Sequence, residues 1–246
     1  MITIGDVELG LTPVIAGVMK RLSLQDAKRA KESGADVIEL RLDLLEDDAR
    51  NIEKIKEFLE QLKMPVIVTN RRKEEGGSFA GTEAERIAML SSILETAPVN
   101  AVDIEFFSPE DGKRKLIDTA NSLHVPVILS FHDFNGIPSR EDISNIIDAM
   151  YDEGGSIAKI AVTPKTLNDA LLLLDLTHKV SSVGKLLVTI GMGSGPVGRH
   201  LRLIAPLYGS VLTYGFIEGE SEAAPGQFSV NELRLMLDKL GTAKNH

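Results

Sequence analysis

Eight short runs of aliphatic and β-branched residues, each followed by an amphipathic stretch, repeat along nearly the whole chain. The runs occupy residues 14–18, 37–42, 66–70, 101–106, 127–132, 157–162, 186–191 and 210–214. The amphipathic stretches lie at 23–33, 48–62, 82–96, 112–123, 139–153 and 166–183, with a shorter piece at 199–206 and a last one at 230–240. Such alternation predicts parallel strands joined by right-handed helical crossovers. Eight units in 246 residues fit a closed (β/α)8 barrel, a TIM barrel, better than an open doubly wound sheet. Residues 2–4 and 7–9, joined by Gly5-Asp6, predict a β-hairpin placed before the first barrel strand, where it closes the bottom. No linker or shift in composition divides the chain, so residues 1–246 are expected to form one domain.

The helix boundaries have chemical signals. Ser23, Thr82, Ser139 and Ser229 can each accept from the free N–H groups of a first turn, and Glu85 and Glu232 follow two of them at capping-box spacing. Gly34, Gly154 and Gly184 stand where helices should stop.

Composition narrows the chemistry. With no Cys the chain cannot use a thiol nucleophile, a disulfide or a zinc thiolate. A net charge of −9 opposes binding to nucleic acid or an anionic membrane, which need a basic footprint. Asp6 and Glu8 stand where a secretory signal would be basic, and apolar runs such as 171–174 are far too short to span a bilayer. These features predict a soluble cytoplasmic protein whose anionic ligand, if it has one, must be caught by a few placed arginines.

In a barrel of this kind the reactive groups sit at the carboxyl ends of the strands. Lys159 lies in the middle of Ser-Ile-Ala-Lys-Ile-Ala-Val, a run otherwise built for burial. Two readings are open: an ammonium neutralised by a carboxylate such as Glu39 or Glu105, or an amine whose pKa is lowered from about 10.4 by an apolar setting and nearby cations. A neutral amine attacks ketones and forms a Schiff base. His132 ends the neighbouring strand, where it can move protons beside an imine. Arg71 and Glu75 follow the third strand; the segment is either a solvated charged loop or a site in which Arg71 faces substrate and Glu75 orients His132. Glu39 and Arg41 are two residues apart and share a strand face. The remaining histidines, His124, His178, His200 and His246, make no metal-ligand spacing, so no metal is expected.

Gly193-Ser-Gly195-Pro-Val-Gly198 satisfies a dinucleotide fingerprint, but too little chain follows it to complete a nucleotide-binding half, so NAD is rejected. This loop, with Arg199, is instead a seat for a carboxylate or phosphate. Glu222-Ala-Ala-Pro-Gly-Gln227 follows the eighth strand as an ordinary loop or a lid tipped by Gln227.

Four motifs in order, Arg-x-x-x-Glu-Gly-Gly (Arg71, Glu75), Ser-x-His-Asp-Phe (Ser130, His132, Phe134), Ala-Lys-Ile-Ala-Val (Lys159) and Ala-Pro-Gly-Gln (Gln227), resemble type I 3-dehydroquinate dehydratase. Glu-x-Arg-x-Asp at Glu39, Arg41 and Asp43 extends the likeness over nearly the whole chain. The resemblance implies a homodimeric barrel that removes water from 3-dehydroquinate through an imine, without an external cofactor. It implies that Lys159 forms the imine, His132 moves the protons and Glu75 orients it. Glu39, Arg41 and Arg71 would order the pocket, Arg199 would bind the carboxylate and Gln227 would close the lid. The chain departs from the family at Ala223 and Gly17, where serine is usual, and in a loop before Arg199 that reads one residue short. These departures bear on affinity and lid contacts. A Schiff-base aldolase acting on a sugar phosphate is the alternative on the same barrel.

Overall fold

The structure, a computed structural model, describes residues 1–242; His246 lies outside the described residues. A two-stranded antiparallel hairpin, β1 (Thr3–Ile4) and β2 (Val7–Glu8), precedes an eight-stranded parallel sheet. The strands are β3 (Val14–Met19), β4 (Val37–Arg41), β5 (Val66–Thr69), β6 (Ala101–Glu105), β7 (Val127–Asp133), β8 (Ile157–Val162), β9 (Leu187–Gly191) and β10 (Leu212–Phe216). They run in the order β10-β3-β4-β5-β6-β7-β8-β9. The ring is closed at the β9–β10 seam by a single bridge, Leu187 to Ser210, and by the Ser210 hydroxyl accepting from the Thr189 N–H at 3.0 Å. Ser210 and Val211 therefore serve the seam, and the last strand begins at Leu212, later than its sequence pattern indicates.

Helices α1 (Leu24–Glu32), α2 (Ile52–Gln61), α3 (Glu83–Thr96), α4 (Glu110–Ser122), α5 (Arg140–Asp152) and α6 (Leu167–Ser182) follow successive strands. The short α7 (Pro196–Arg199) and α8 (Leu201–Ile204) come after β9, and α9 (Val230–Leu237) follows β10. Ser23, Thr82, Ser139 and Ser229 all accept at their helix starts, and full capping boxes form at Thr82–Glu85 and Ser229–Glu232. A third box, Thr166–Asp169, uses Asp where the longer Glu is usual. α2 starts at Ile52, later than its periodicity, because Asn51 caps it and residues 47–49 form a separate 3-10 turn. At the end of α4 it is His124, at φ 58°, that takes the left-handed position ordinarily filled by glycine.

Alternate strand residues divide the interior. Ile15, Ile38, Val68, Val102 and Leu129 point outward and pack with the helices as the larger apolar cluster. Inward-facing Val14, Val37, Ile67, Ala101, Ile128, Ile157, Val188 and Leu212 fill the lower barrel together with Ile4 and Leu9 of the hairpin segment. The hairpin thus closes the amino-terminal end of the barrel, as its sequence predicts. Higher up, the inward positions become polar: Arg41, Thr69 and Asp103 are successive partners across β4–β5–β6, and Glu105, Ser130 and Lys159 across β6–β7–β8. Among the described residues no helix is long and apolar enough to cross a membrane.

Candidate active site

The polar upper interior opens into a cavity at the carboxyl ends of the strands, lined by Glu39, Arg41, Arg71, Glu75, His132, Lys159 and Gln227 among others. Seven of the eight side chains singled out in the sequence therefore meet in one place. Arg199 does not.

Lys159 is almost fully buried, and its surroundings differ from the apolar setting envisaged in the sequence. Its Nζ lies 2.8 Å from Asp103 Oδ2 and 3.6 Å from Glu39 Oε1, above the Tyr214 ring at 4.2 Å from the centroid. Of the two carboxylates considered from sequence, Glu39 is present and Glu105 is not. Glu105 is bound by Arg71 Nη1 at 2.7 Å and Arg86 Nη1 at 2.8 Å. Asp103 escaped the sequence reading, although it precedes Glu105 by two and so shares its inward face, by the same spacing that paired Glu39 with Arg41.

Asp103 links the lysine to Arg71. Its Oδ1 accepts from Arg71 Nη1 at 3.0 Å and from Ser130 Oγ at 2.7 Å. Burial opposes ionisation of this carboxyl, yet the cations of Arg71 and Lys159 outweigh burial and hold it below the ordinary carboxylate range. Arg41 is fixed by a two-pronged contact with Asp43, Nε to Oδ1 at 2.9 Å and Nη2 to Oδ2 at 2.7 Å. Asp43 also accepts the backbone N–H groups of Arg71 and Ser78, which ties the β5–α3 loop to β4.

That loop brings Glu75 to His132. Glu75 Oε2 lies 2.9 Å from His132 Nδ1 and accepts the His132 backbone N–H at 3.0 Å. Burial, then the flanking Arg71 and Lys159 cations, hold the imidazole well below its ordinary pKa, so it is neutral at pH 7. With its proton on Nδ1 facing Glu75, the ring leaves Nε2 as a free base. Burial and the neighbouring Glu105 charge push Glu75 up to about 7.

The β9–α7 loop explains Arg199. A Cβ on Gly198 would lie 2.0 Å from the Met192 carbonyl oxygen, so only glycine lets the first helical turn pack this tightly on the strand end. That turn leaves Arg199 half-buried outside the cavity lining, its guanidinium 4.3 Å from the Phe228 ring centroid. The next turn delivers Arg202 to the cavity, 2% exposed, with a hydrogen bond to the Pro225 carbonyl at 3.2 Å and, among the described residues, no partner for its Nε and no ion pair. Burial and the nearby Arg199 charge lower its pKa to about 10, against the pull of Glu222. Reading the glycine motif as a nest favoured the first arginine after it; the spacing of Arg199 and Arg202 gave no reason to prefer the second.

Residues 217–228 form the loop over the mouth. Lys20 Nζ donates to the backbone and side-chain oxygens of Ser221, each at 2.8 Å, and Arg21 pairs with Glu220. Gln227 Oε1 accepts from the Ala223 N–H at 2.8 Å and the Ala224 N–H at 3.3 Å, so its side-chain amide is the donor left for the cavity. Among the described residues no group of three or more His, Cys, Asp or Glu side chains is placed to hold a metal ion.

A buried lysine and a neutral imidazole face one cavity at the mouth of a (β/α)8 barrel, the groups and the place that amine and acid–base catalysis on a small molecule require. The family model described as Type I 3-dehydroquinase matches residues 14–244. The 3-dehydroquinate dehydratase of Methanosarcina barkeri is 38% identical over 246 residues, covering 98% of this chain and 100% of the relative. Among solved structures, the type I 3-dehydroquinate dehydratase of Clostridium difficile superposes with a TM-score of 0.85 at 28% identity, over 99% of this chain and 98% of that one. The Geobacillus kaustophilus 3-dehydroquinate dehydratase gives 0.86 at 25%, over 99% and 97%. The chain belongs to the type I 3-dehydroquinase family: it is a hydro-lyase that removes water from 3-dehydroquinate to give 3-dehydroshikimate in the shikimate pathway. Membership replaces the aldolase alternative.

Proposed function

We propose that Lys159, His132 and Glu75 carry the dehydration in this chain. The arrangement that supports this most strongly is the shared cavity, in which Lys159 Nζ and the free Nε2 of His132 face one ligand while Glu75 fixes the imidazole from behind. The α-proton of a neutral ketone is a poor acid. Once Lys159 has converted the ketone to an iminium, that proton leaves to give an enamine, and the nitrogen acts as the electron sink. His132 takes the proton, then returns it to the departing hydroxyl; such acid–base help contributes about 10²–10⁴-fold. Asp103 keeps a hydrogen bond to the same nitrogen in its ammonium and iminium forms.

Arg202, rather than Arg199, holds the substrate carboxylate: it is a buried cation at the cavity wall that makes no salt bridge among the described residues. Glu39, Arg41 and Arg71 order the pocket and meet ring hydroxyls, and the Gln227 amide donates from the lid. Ala223 has no hydroxyl to add, which leaves Arg202 and Gln227 as the polar contacts on that side. A homodimer acting in the cytoplasm, each chain one domain over residues 1–246, completes the proposal. Borohydride added during turnover of 3-dehydroquinate tests the covalent step. A reduced adduct on the peptide containing Lys159 is expected, and its absence together with full turnover by Lys159→Ala would overturn the assignment.

A further inference from the structure

Tyr214 is a cavity-lining residue that the reaction scheme above leaves unused. It sits on β10, beside Ala16 of β3, with its ring beneath Lys159. Among the described residues the buried Oη of the phenol has no hydrogen-bond partner. Burial, then the charges of Glu39 and Asp103, hold it well above its ordinary pKa of 10, so it stays protonated. A buried hydroxyl left unpaired is unfavourable, and phenylalanine would fill the same space without it. The ring face, by contrast, is in contact with Lys159.

That face meets Lys159 Nζ at 4.2 Å from the ring centroid, within the range of a cation–π contact. Asp103 at 2.8 Å and Glu39 at 3.6 Å hold the nitrogen from other directions. We propose that Tyr214 is a positioning residue for the covalent step: its ring face holds Lys159 Nζ toward the cavity and stabilises the positive charge that returns to this nitrogen as the imine forms. The proposal rests on Lys159 being the amine that attacks the ketone.

The chemistry gives the contact a definite place. The ammonium gives up a proton, and the nitrogen adds to the carbonyl carbon to form a neutral carbinolamine. The C–O bond then breaks, the oxygen leaves with a proton as water, and an iminium remains. Overall, one ammonium and one ketone become one iminium and one water, with charge conserved. Between the neutral carbinolamine and the iminium, positive charge develops on Nζ. A preformed π face beside that atom, in a site away from bulk water, favours the transition state of this step over the neutral species before it.

The test is the single-turnover rate at which a borohydride-reducible adduct appears on Lys159 after mixing with saturating 3-dehydroquinate. Tyr214→Leu is expected to slow it about 10-fold, and Tyr214→Phe, which keeps the face, to recover most of that loss. Phenylalanines carrying one, two and three ring fluorines at position 214 keep the shape while draining the π face. The rate should fall stepwise along that series, about 3- to 10-fold in all. Affinity for quinate, which has the carboxylate but no ketone, should stay constant, separating this effect from a loss of binding. Unfolding of Tyr214→Phe at a temperature equal to or above the parent's checks that the hydroxyl is not a fold requirement. A rate indifferent to fluorination, or one that rises with it, overturns the role of Tyr214 alone. Failure of the unmodified enzyme to form any adduct overturns the assignment of Lys159 beneath it.

Discussion

Asp103 is bonded to Lys159 through one carboxylate oxygen, Oδ2 at 2.8 Å, and to Arg71 and Ser130 through the other. Lys159 therefore belongs to a buried network whose members orient one another. The low dielectric around them strengthens each bond and raises the cost of leaving any partner alone.

Asp103→Ala should accordingly destabilise the fold by about 3–5 kcal/mol, the usual cost of leaving buried charges unpaired. Urea unfolding at pH 7 measures it. A loss below about 1 kcal/mol would mean that Lys159 and Arg71 find other partners.

The acid limb of the rate profile should report Glu75. Its carboxylate must be ionised to hold the Nδ1 proton of His132, so kcat/KM should fall as pH drops through about 7. His132 itself is held well below its ordinary 6.5 and stays neutral there. In Glu75→Gln the limb should move to lower pH, with activity reduced about 10- to 100-fold. Stability carries the same signature in the opposite sense. A carboxyl raised from 4.5 to about 7 contributes stability below 4.5 that is lost as pH rises through 7. Thermal unfolding of the parent and Glu75→Gln, compared from pH 4 to 8, should therefore show the parent losing ground as pH rises.

The two arginines after β9 should separate cleanly. Arg202→Ala should raise KM for 3-dehydroquinate about 10- to 100-fold, the value of charge-assisted hydrogen bonds to a carboxylate. Arg199→Ala, which removes a guanidinium stacked on Phe228 outside the cavity lining, should change KM by less than about 3-fold. Steady-state kinetics on both variants decides, and equal effects would sink the assignment. Arg202→Met should also unfold at a higher temperature than the parent, because it removes a buried cation that makes no salt bridge among the described residues.

Gly226→Ala should lift the loop over the mouth. Gly226 has φ 82°, and an added Cβ would come within 2.2 Å of the Gly193 carbonyl oxygen. A raised KM is expected, together with faster protease cleavage within residues 217–228; unchanged cleavage would show that the loop absorbs the methyl group.

The barrel was legible because its cause is local. Each strand–helix unit announces itself in a run of some five apolar residues followed by an amphipathic stretch, several with a capping serine or threonine or a terminal glycine, and the crossover rule then leaves little freedom. The lysine, the histidine and the inward pair Glu39–Arg41 were legible for a related reason, since charge in a strand built for burial is conspicuous. Asp103 followed from the same two-residue spacing but went unread beside Glu105. Tyr214 drew no reading of its own at the end of the eighth run, because its contact with Lys159 arises across the barrel, where sequence spacing carries no information. Arg202 was hidden by packing: how tightly Gly198 seats on the Met192 carbonyl decides which arginine faces inward, and that is a property of tertiary contact.

The division of the barrel into an apolar lower interior and a charged upper one also bears on how such a chain can drift over generations. A methylene gained or lost among Val14, Ile67 and Val188 costs about 0.5–3 kcal/mol but strands no charge, so these positions can change one at a time. Asp103, Arg71, Glu105 and Arg86 each satisfy another member of the set, and a single replacement strands its partners. Mutational paths through the upper layer therefore require paired or larger exchanges, which makes that layer the slow clock of the molecule and the lower one its fast clock.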